Sequence, residues 1–366
     1  MAFTAAVGQA QAIDGREAGL QATHRALNTL GANPATLAVV IASHQYEPRQ
    51  VINGASSLLP NVPLVGFSTP AGLTHEGQHP RSVVVAILSG DRFQAEAYWF
   101  SEYAQSGRET ALRLKRLLPP QLDESSAVLL FADGFNGDAE QFCTHMQDAP
   151  LTVGGLSCGD LHTGHTFQFA NDRFGMGGLA AVHLQGDIHL GIGSAHGWDP
   201  VGGQFRVTRA RGFWLRTLDG RPASEAYAQL FGHPAREWAF PPLNHLVRLY
   251  PLGLEQEEGL RVRSPMRVEA DGSFRMNAPI QEGLDAYLMV GSPANCQNAA
   301  RQAAQEALRS LGKARPVFAL VLADIAWQLL LKAQPGLEIA AVQEILGEDI
   351  PIAGGYTLGQ IVPGEE

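Results

Sequence analysis

The chain has 366 residues, among them 26 Lys plus Arg and 36 Asp plus Glu, so its formal net charge is −10. This acidic balance excludes a general attraction for nucleic-acid backbones, and 45% hydrophobic residues exclude a disordered chain. The three cysteines have no Cys-x-x-Cys spacing and so provide neither a disulfide framework nor a thiolate metal site. The longest membrane candidate, 317–331, contains Asp324 and Gln328 and is too short to cross a membrane. Residues 1–15 lack the pattern of a secretory signal. We therefore expect a cytoplasmic protein with no nucleic-acid or membrane partner.

Three segments share one pattern: a proline, a short apolar strand, a glycine, a hydroxyl residue three positions after that glycine, and then a small residue. The prolines and hydroxyl residues are Pro63 and Thr69, Pro150 and Ser157, and Pro351 and Thr357. Self-similarity of this kind indicates a repeated structural unit.

Apolar runs and turn residues extend the first two copies in both directions. The first copy, 14–100, is expected to contain a helix from Gly15, a strand at 37–42, a helix at 48–59, a second strand and a hairpin turn at 88–91. The second copy, 106–198, is expected to contain a helix from Gly107, a strand at 127–132, a helix at 138–147, a second strand and a hairpin turn at 184–187. Each copy is thus a helix–strand–helix–strand–hairpin unit.

The next region has a different pattern. It predicts strands at 213–218, 246–250, 260–268, 273–276 and 286–290, with a helix at 222–230. Residues 295–366 then return to the helix–strand–helix–strand order, with a strand at 317–323 and helices at 326–333 and 337–346.

These elements predict the fold class. A strand–helix–strand unit implies a parallel strand pair with a right-handed crossover, and the hairpins add antiparallel strands. We predict an α/β fold of mixed sheets flanked by helices, divided into a domain of two repeats at 1–211 and a second domain at 212–366.

Histidine pairs occur in equivalent places of the first two copies. His75-Glu-Gly-Gln-His79 has the zinc-protease spacing, but Gly77 and the following proline favour a loop over the helix that this chemistry needs. His162 and His165 occupy the matching loop of the second copy. No metal or cofactor is expected, and a haem or metal sensor that uses these loop histidines is one alternative.

A second alternative is a serine hydrolase. Gly155-Leu-Ser157-Cys-Gly159 follows a strand and matches the nucleophile elbow Gly-x-Ser-x-Gly. The residues after it do not predict the helix that an elbow must open, and the same hydroxyl recurs in the other two segments. No particular histidine can be assigned as a base for Ser157 or Cys158.

The remaining signal is a set of glycine-rich loops, expected at 66–72, 154–160 and 354–360, at the carboxyl ends of strands. Such loops are the usual ligand sites of open α/β sheets, where glycine lets a ligand approach backbone N–H groups. The candidate ligand-binding residues are Ser68, Thr69, Gly154, Gly155, Ser157, Cys158, Gly159, Asp160, Gly355, Tyr356 and Thr357. Asp160 could hold an amino group, or it could cap its own turn.

Short motifs follow one another in order from about residue 37 to 361. They are Pro63-Leu-Val-Gly-Phe-Ser-Thr69, Val153-Gly-Gly-Leu-Ser-Cys-Gly-Asp160, Leu218-Asp-Gly-Arg-Pro-Ala223 with Tyr227, Tyr250-Pro-Leu-Gly253, Arg261-Val-Arg-Ser-Pro265, Asp271-Gly-Ser273 and Ile350-Pro-Ile-Ala-Gly-Gly-Tyr-Thr-Leu-Gly359. This ordered set resembles the FIST sensory proteins, which have an N-terminal and a C-terminal FIST domain.

The resemblance implies a sensory module for small ligands, with amino acids as candidates, and some members of the family bind haem and sense nitric oxide. Asp324-Ile-Ala-Trp327 stands where the family has Cys-x-x-Arg, and Gln360 stands where it has Glu. We expect a non-enzymatic sensor whose output passes through a partner protein, because the two domains occupy all 366 residues.

Overall fold

The computed structural model describes residues 3–119, 126–147, 149–241, 243–256 and 259–363. The chain divides into two units, one made of Met1–Ala195 with Ala300–Glu366 and the other of His196–Ala299. The predicted domain boundary at 211/212 stays a prediction.

The first segment of the chain alternates strands and helices before a run of consecutive strands. Its elements are β1 (Thr4–Ala10), α1 (Gly15–Leu30), β2 (Leu37–Ser43), α2 (Pro48–Ser56), β3 (Leu64–Thr69), β4 (Ala71–Thr74), β5 (Gly77–Pro80) and β6 (Val83–Ser89).

The second segment has the same element order. Its elements are β7 (Phe93–Phe100), α3 (Gly107–Leu117), β8 (Ala127–Asp133), α4 (Ala139–Thr144), β9 (Leu151–Ser157), β10 (Gln168–Ala170), β11 (Arg173–Gly175) and β12 (Leu179–Gly186).

The third segment consists mainly of strands. Its elements are β13 (Trp198–Arg211), β14 (Trp214–Leu218), β15 (Arg221–Pro222), α5 (Ala223–Phe231), α6 (Leu243–Leu246), β16 (Leu252–Gln256), β17 (Gly259–Arg263), β18 (Pro265–Val268), β19 (Phe274–Met276) and β20 (Asp285–Gly291). Short 3₁₀ helices lie at Ala235–Ala239 and Val247–Leu249. The predicted strand at 246–250 is therefore wrong, because this stretch forms helical turns.

The last segment returns to the α/β pattern. Its elements are α7 (Pro293–Leu311), β21 (Ala319–Asp324), α8 (Ile325–Leu330), α9 (Leu337–Leu346) and β22 (Ile352–Ile361). The helix predicted at 337–346 is confirmed over its full length. The loop expected at 354–360 is wrong, since these residues belong to β22.

Two mixed sheets form the first unit. One has the strand order β1-β6-β2-β3-β10-β11, and the other has the order β5-β4-β22-β9-β8-β12-β7, with β21 paired to β22. The three strand–helix–strand units give the parallel pairs β2–β3, β8–β9 and β21–β22. The predicted α/β class with mixed sheets is confirmed.

The chain exchanges strands between these two sheets. After β3, β4 leaves the first sheet and pairs with β22 in the second. After β9, β10 leaves the second sheet and pairs with β3 in the first. Most of the residues expected as loops at 66–72 and 154–160 are thus strand residues, because β3 extends to Thr69, β4 starts at Ala71 and β9 extends to Ser157.

The hairpins predicted at 88–91 and 184–187 are wrong. The strand before the first turn, β6, pairs with β1 and β2, whereas β7 pairs with β12 in the other sheet. No described strand pairs with β12 directly after its end at Gly186. The hairpins lie instead at β4–β5 and β10–β11. Strand β7, expected in the first copy, pairs within the second, and the internal repeat itself stays a prediction.

Apolar side chains cover both faces of the first sheet. Val40, Val85 and their neighbours face α1 and α2, whereas Val39, Phe67 and their neighbours face the second sheet. Between the sheets, the ring centroids of Phe67 and Phe131 lie 4.4 Å apart. Strands buried on both faces explain the unbroken apolar runs of the sequence.

The second unit has a core of its own. Its strands are ordered β17-β16-β20-β13-β14-β19-β18, with β15 paired to β14. Tyr227 of α5 packs edge-on against Trp238 and Phe274, with centroid distances of 5.6 and 4.8 Å. The Tyr227 hydroxyl donates to the carbonyl of Tyr250 at 2.6 Å, so this buried ring retains a polar partner.

Candidate functional site

Each recurring hydroxyl residue lies at the end of a parallel strand pair. Thr69 is paired with Ser43, Ser157 with Asp133, and Thr357 with Asp324. The antiparallel pairing of β22 with β9 also places Thr357 opposite Ser157. The structure therefore brings the three sequence motifs together at one junction of strands.

The Thr69 side chain joins β3 to β22. Its hydroxyl oxygen accepts the backbone N–H of Tyr356 at 2.8 Å and lies 3.1 Å from the Tyr356 carbonyl. A methyl group on Gly355 would lie 3.0 Å from the same hydroxyl oxygen, so glycine permits this close approach of the strands. Thr69 is fully buried. The contact couples the first sheet directly to the C-terminal strand.

Ser68 joins the end of β3 to the chain that follows β9. Its hydroxyl donates to the carbonyl of Cys158 at 2.9 Å and accepts the N–H of Phe167 at 2.9 Å. The N–H of Cys158 donates to the Ser68 carbonyl at 3.1 Å. Ser68 and Cys158 are both fully buried. These bonds hold the crossing point between the two sheets.

Ser157 is the last residue of β9 and is fully buried. With the Gln168 amide oriented so that its oxygen accepts, the Ser157 hydroxyl donates to it at 3.1 Å, and the Gln168 nitrogen donates to the carbonyls of Gly175 and Gly178. The residues after Ser157 form turns instead of the helix that a nucleophile elbow opens. This geometry gives no support to the hydrolase alternative.

Three of the candidate glycines lie where the chain packs closely. A methyl group on Gly154 would overlap the carbonyl oxygen of Leu130 on β8, and one on Gly159 would overlap the carbonyl oxygen of His165. Beside Gly154, Gly155 lies in β9 near Leu322 and Thr357. These positions are thus explained by packing, whether or not a ligand approaches them.

Asp160 caps the turn that follows. Its carboxylate accepts the His162 N–H at 2.9 Å and the Thr163 hydroxyl at 3.0 Å, and its backbone bridges to His165. The N–H of His162, assisted by the Thr163 hydroxyl, holds the pKa of Asp160 below its usual value. The structure therefore shows Asp160 in the turn-capping role, and its role as a ligand contact stays a prediction.

His44 lies beside this junction and was not singled out by the sequence. The backbone N–H of His44 donates to the Thr69 carbonyl at 3.0 Å. Burial lowers the pKa of His44, against opposing contributions from the Thr69 carbonyl and Asp160. A single histidine after a strand carries no sequence signal that could have identified it.

Among the histidines of the first loop, His79 has a local partner. His79 belongs to β5, and its Nε2 lies 2.7 Å from the Thr74 hydroxyl. Burial lowers the pKa of His79, with an opposing effect of Glu76. The expected loop at 75–79 is in part a strand, because Gly77–Pro80 closes the β4–β5 hairpin. Within the described ranges, no group of three or more His, Cys, Asp or Glu side chains is placed to hold a metal ion.

A second polar cluster lies around the side chain of Tyr356. Its hydroxyl contacts Gln78 Oε1 at 2.9 Å and donates to Glu338 Oε1. Glu338 stands in the first turn of α9 and is only 1% exposed. The sequence gives no signal for this cluster, because a glutamate in the first turn of a helix is ordinarily a solvated residue.

Comparison with known families identifies the family of this chain. The FIST N domain model matches residues 36–221, and the FIST C domain model matches residues 223–363. The chain belongs to the FIST family. FIST domains are associated with sensory and signal-transduction roles and with small-ligand binding, and they are not a known enzyme family.

The chain is also similar to uncharacterized proteins of Mycobacterium bovis and Mycobacterium tuberculosis. Each is 24% identical over 374 aligned residues, which cover 98% of this chain and 93% of the relative. Among the described residues, none of the helices combines the length and the apolar character needed to cross a membrane.

The strand junction joins residues from both FIST matches. Strands β3 and β9 lie in the FIST N range, and β22 lies in the FIST C range. The bonds of Thr69 and the pairing of Ser157 with Thr357 both cross between these ranges. A change at this junction would therefore alter contacts of both the FIST N and the FIST C ranges.

Proposed function

We propose that this FIST protein is a cytoplasmic, non-enzymatic sensor that binds a small ligand and signals through a partner protein. One observation carries the proposal: the buried residues Ser68, Thr69, Ser157 and Thr357 lie where strands from the FIST N and FIST C ranges meet. A ligand that takes over hydrogen bonds at this junction would change the pairing of β3, β9 and β22. That change is a route from binding to signalling.

Amino acids are the proposed ligand class. Their carboxylate suits backbone N–H groups near the candidate glycines, and their ammonium group suits a carboxylate of the protein. The candidate contacts remain those predicted from the sequence, and Asp160 is a partly exposed member of the set.

The test is a thermal-shift screen of the free amino acids, combined with mass spectrometry of any small molecule that copurifies with the native protein. A ligand at 100 times its dissociation constant should stabilise the protein by about 2.7 kcal/mol. Asp160→Asn keeps most of the turn but loses the charge, and Asp172→Asn in the exposed β10–β11 turn is the matched control.

A ligand that stabilises the wild type and the control but not Asp160→Asn supports the Asp160 assignment. Equal shifts in all three proteins would remove Asp160 from the site and leave the sensor proposal standing. The sensor proposal fails if no small molecule of any class copurifies or shifts the transition.

A further inference from the structure

The carboxyl group of Glu338 is buried, and only one of its two oxygens has a hydrogen-bond partner among the described residues. Its side chain is 1% exposed, and Oε1 accepts a hydrogen bond from the Tyr356 hydroxyl. Over the described ranges, Oε2 has no hydrogen-bond partner. Buried carboxylate oxygens in folded proteins are ordinarily paired, so this oxygen requires an explanation.

Counting protons shows which way the neighbouring groups point. Tyr356 has one hydroxyl proton, yet its oxygen lies close to two acceptors, Glu338 Oε1 and Gln78 Oε1. Turning the Gln78 amide resolves this conflict, since its nitrogen then donates to the Tyr356 oxygen while the hydroxyl proton goes to Glu338. In this arrangement the Tyr356 proton goes to Oε1 and one Gln78 N–H goes to the Tyr356 oxygen, so Oε2 still lacks a partner among the described residues.

An ionised carboxylate in such a place needs a positive partner. Removing a charge from water costs several kcal/mol unless an opposite charge or enough donors replace the water. The first turn of α9 contributes a partial positive charge, which offsets only part of that cost. A cation from outside the protein would complete the site.

A second unpartnered polar atom lies on the adjoining helix. The indole N–H of Trp327, on α8, has no acceptor among the described residues, and its side chain is 7% exposed. Helix α8 packs on β21 and β22, and Tyr356 of β22 bonds to Glu338 of α9. Helices α8 and α9 thus both contact β22, and each has one buried polar atom without a partner among the described residues.

We propose that the Glu338 carboxylate binds the primary ammonium group of the ligand, and that the Trp327 indole N–H donates to an acceptor atom of the same molecule. This assignment rests on the proposed function and names the chemistry that its ligand must carry. Because the backbone N–H of Tyr356 donates to Thr69, an ammonium group bound at Glu338 acts on the strand junction through a single residue.

The experiment compares ligands that differ only in the charged group. Isothermal titration and thermal shift of the full chain would use ethylamine against ethanol, and L-alanine, L-leucine and L-phenylalanine against the 2-hydroxy acids of the same carbon skeleton. At least one ammonium probe should bind wild type, and its hydroxyl counterpart should bind at least tenfold more weakly. Glu338→Gln should weaken the ammonium probe at least 100-fold, whereas Glu348→Gln at an exposed position should leave it unchanged.

The outcomes separate this assignment from the sensor proposal. Equal binding to wild type and Glu338→Gln, or binding of the hydroxyl counterparts alone, overturns the ammonium site while the sensor proposal survives. The assignment is also overturned if no ammonium probe binds wild type. Should Glu338→Gln fail to fold, Trp327→Phe provides a second measure, with a threefold to tenfold weaker binding of the ammonium probe expected and unchanged binding contradicting the assignment.

Discussion

Two buried carboxylates of this protein have opposite surroundings. Asp133, at the end of β8, is 1% exposed, and its oxygens accept the backbone N–H groups of Phe135, Asn136 and Gly177. Glu338 has comparable burial but an oxygen without a partner in the described chain. The Asp133 carboxylate is thus bonded by its own chain, whereas the unpartnered oxygen of Glu338 is the observation behind the proposed ammonium site.

Asp133→Ala should lower the free energy of unfolding by about 3 kcal/mol, because it removes the acceptors of three backbone N–H groups. Asp138→Ala removes the N-cap of α4, which is bonded to the Gln141 N–H, and should cost only about 1 kcal/mol. Urea denaturation of the two variants measures both values. Similar losses in both would show that Asp133 is no more than a cap.

His183 predicts a pH dependence of stability. It is buried in β12 between the Ser126 hydroxyl, 2.6 Å from Nε2, and the Gln185 amide nitrogen, 2.8 Å from Nδ1. Burial lowers the pKa of His183, against an opposing effect of Glu96. The folded chain therefore holds this imidazole neutral at pH values where the unfolded chain already takes up a proton.

As the pH falls below about 6.5, the unfolded state binds more protons and the unfolding free energy decreases, by at most about 1.4 kcal/mol per pH unit for one group. The contribution of His183 is complete above that pH and is lost below it. His183→Gln should flatten this part of the dependence between pH 7.5 and 5. Urea denaturation across the range tests it, and an unchanged slope in the variant would contradict the assignment.

At the scale of elements, small residues set the distance between α1 and α2. Gly15 and Gly19 of α1 face Val51, and Gly54 of α2 faces the backbone of Arg16. The N-caps Asp14 and Glu47 fix where the two helices begin. The sequence showed that both helices exist, and the glycines show how closely they pack.

Gly54→Ala should destabilise the protein by about 2 kcal/mol, although alanine is the better helix former by about 1 kcal/mol. The added methyl group would overlap the carbonyl oxygen of Arg16, so the helices must separate. Asn53→Ala, on the exposed side of α2, gains up to about 0.7 kcal/mol in helix propensity and should be neutral or slightly stabilising. Thermal unfolding of both variants tests this prediction, and a stabilised Gly54→Ala variant would refute the close contact.

At the scale of the whole molecule, the last strand completes a sheet begun by the first half of the chain. Strand β22 lies between β4 and β9, and β21 pairs with it. Without β22, the strands β4 and β9 would each have an unpaired edge. The segment 196–299, in contrast, has its own sheet and its own core.

A fragment of residues 1–211 should therefore fail to give a cooperative thermal transition, whereas a fragment of residues 196–299 should give one. Circular dichroism on heating, with the full chain as reference, measures both. A cooperative transition of the 1–211 fragment near that of the full chain would show that β22 is dispensable for the sheet.

The sequence by itself determined the α/β class, the strand–helix–strand units and the family. Unbroken apolar runs such as 127–132 predict buried strands, and β8 is buried at every position. Helix 337–346 could be placed from local sequence, and Gly347 directly after its last residue is a common stop signal. The recurring hydroxyls Thr69, Ser157 and Thr357 were visible for the same reason, as a pattern within short segments.

Only the tertiary structure decided which strands pair and which polar groups meet. The turns at 88–91 and 184–187 have the residue types of hairpin turns. The strands on either side of the first turn, β6 and β7, nevertheless pair in different sheets. The contact of Glu338 with Tyr356 joins residues of a helix and a strand that have no shared local pattern. Pairing over long separations depends on burial of the whole sheet, and no short stretch of sequence encodes it.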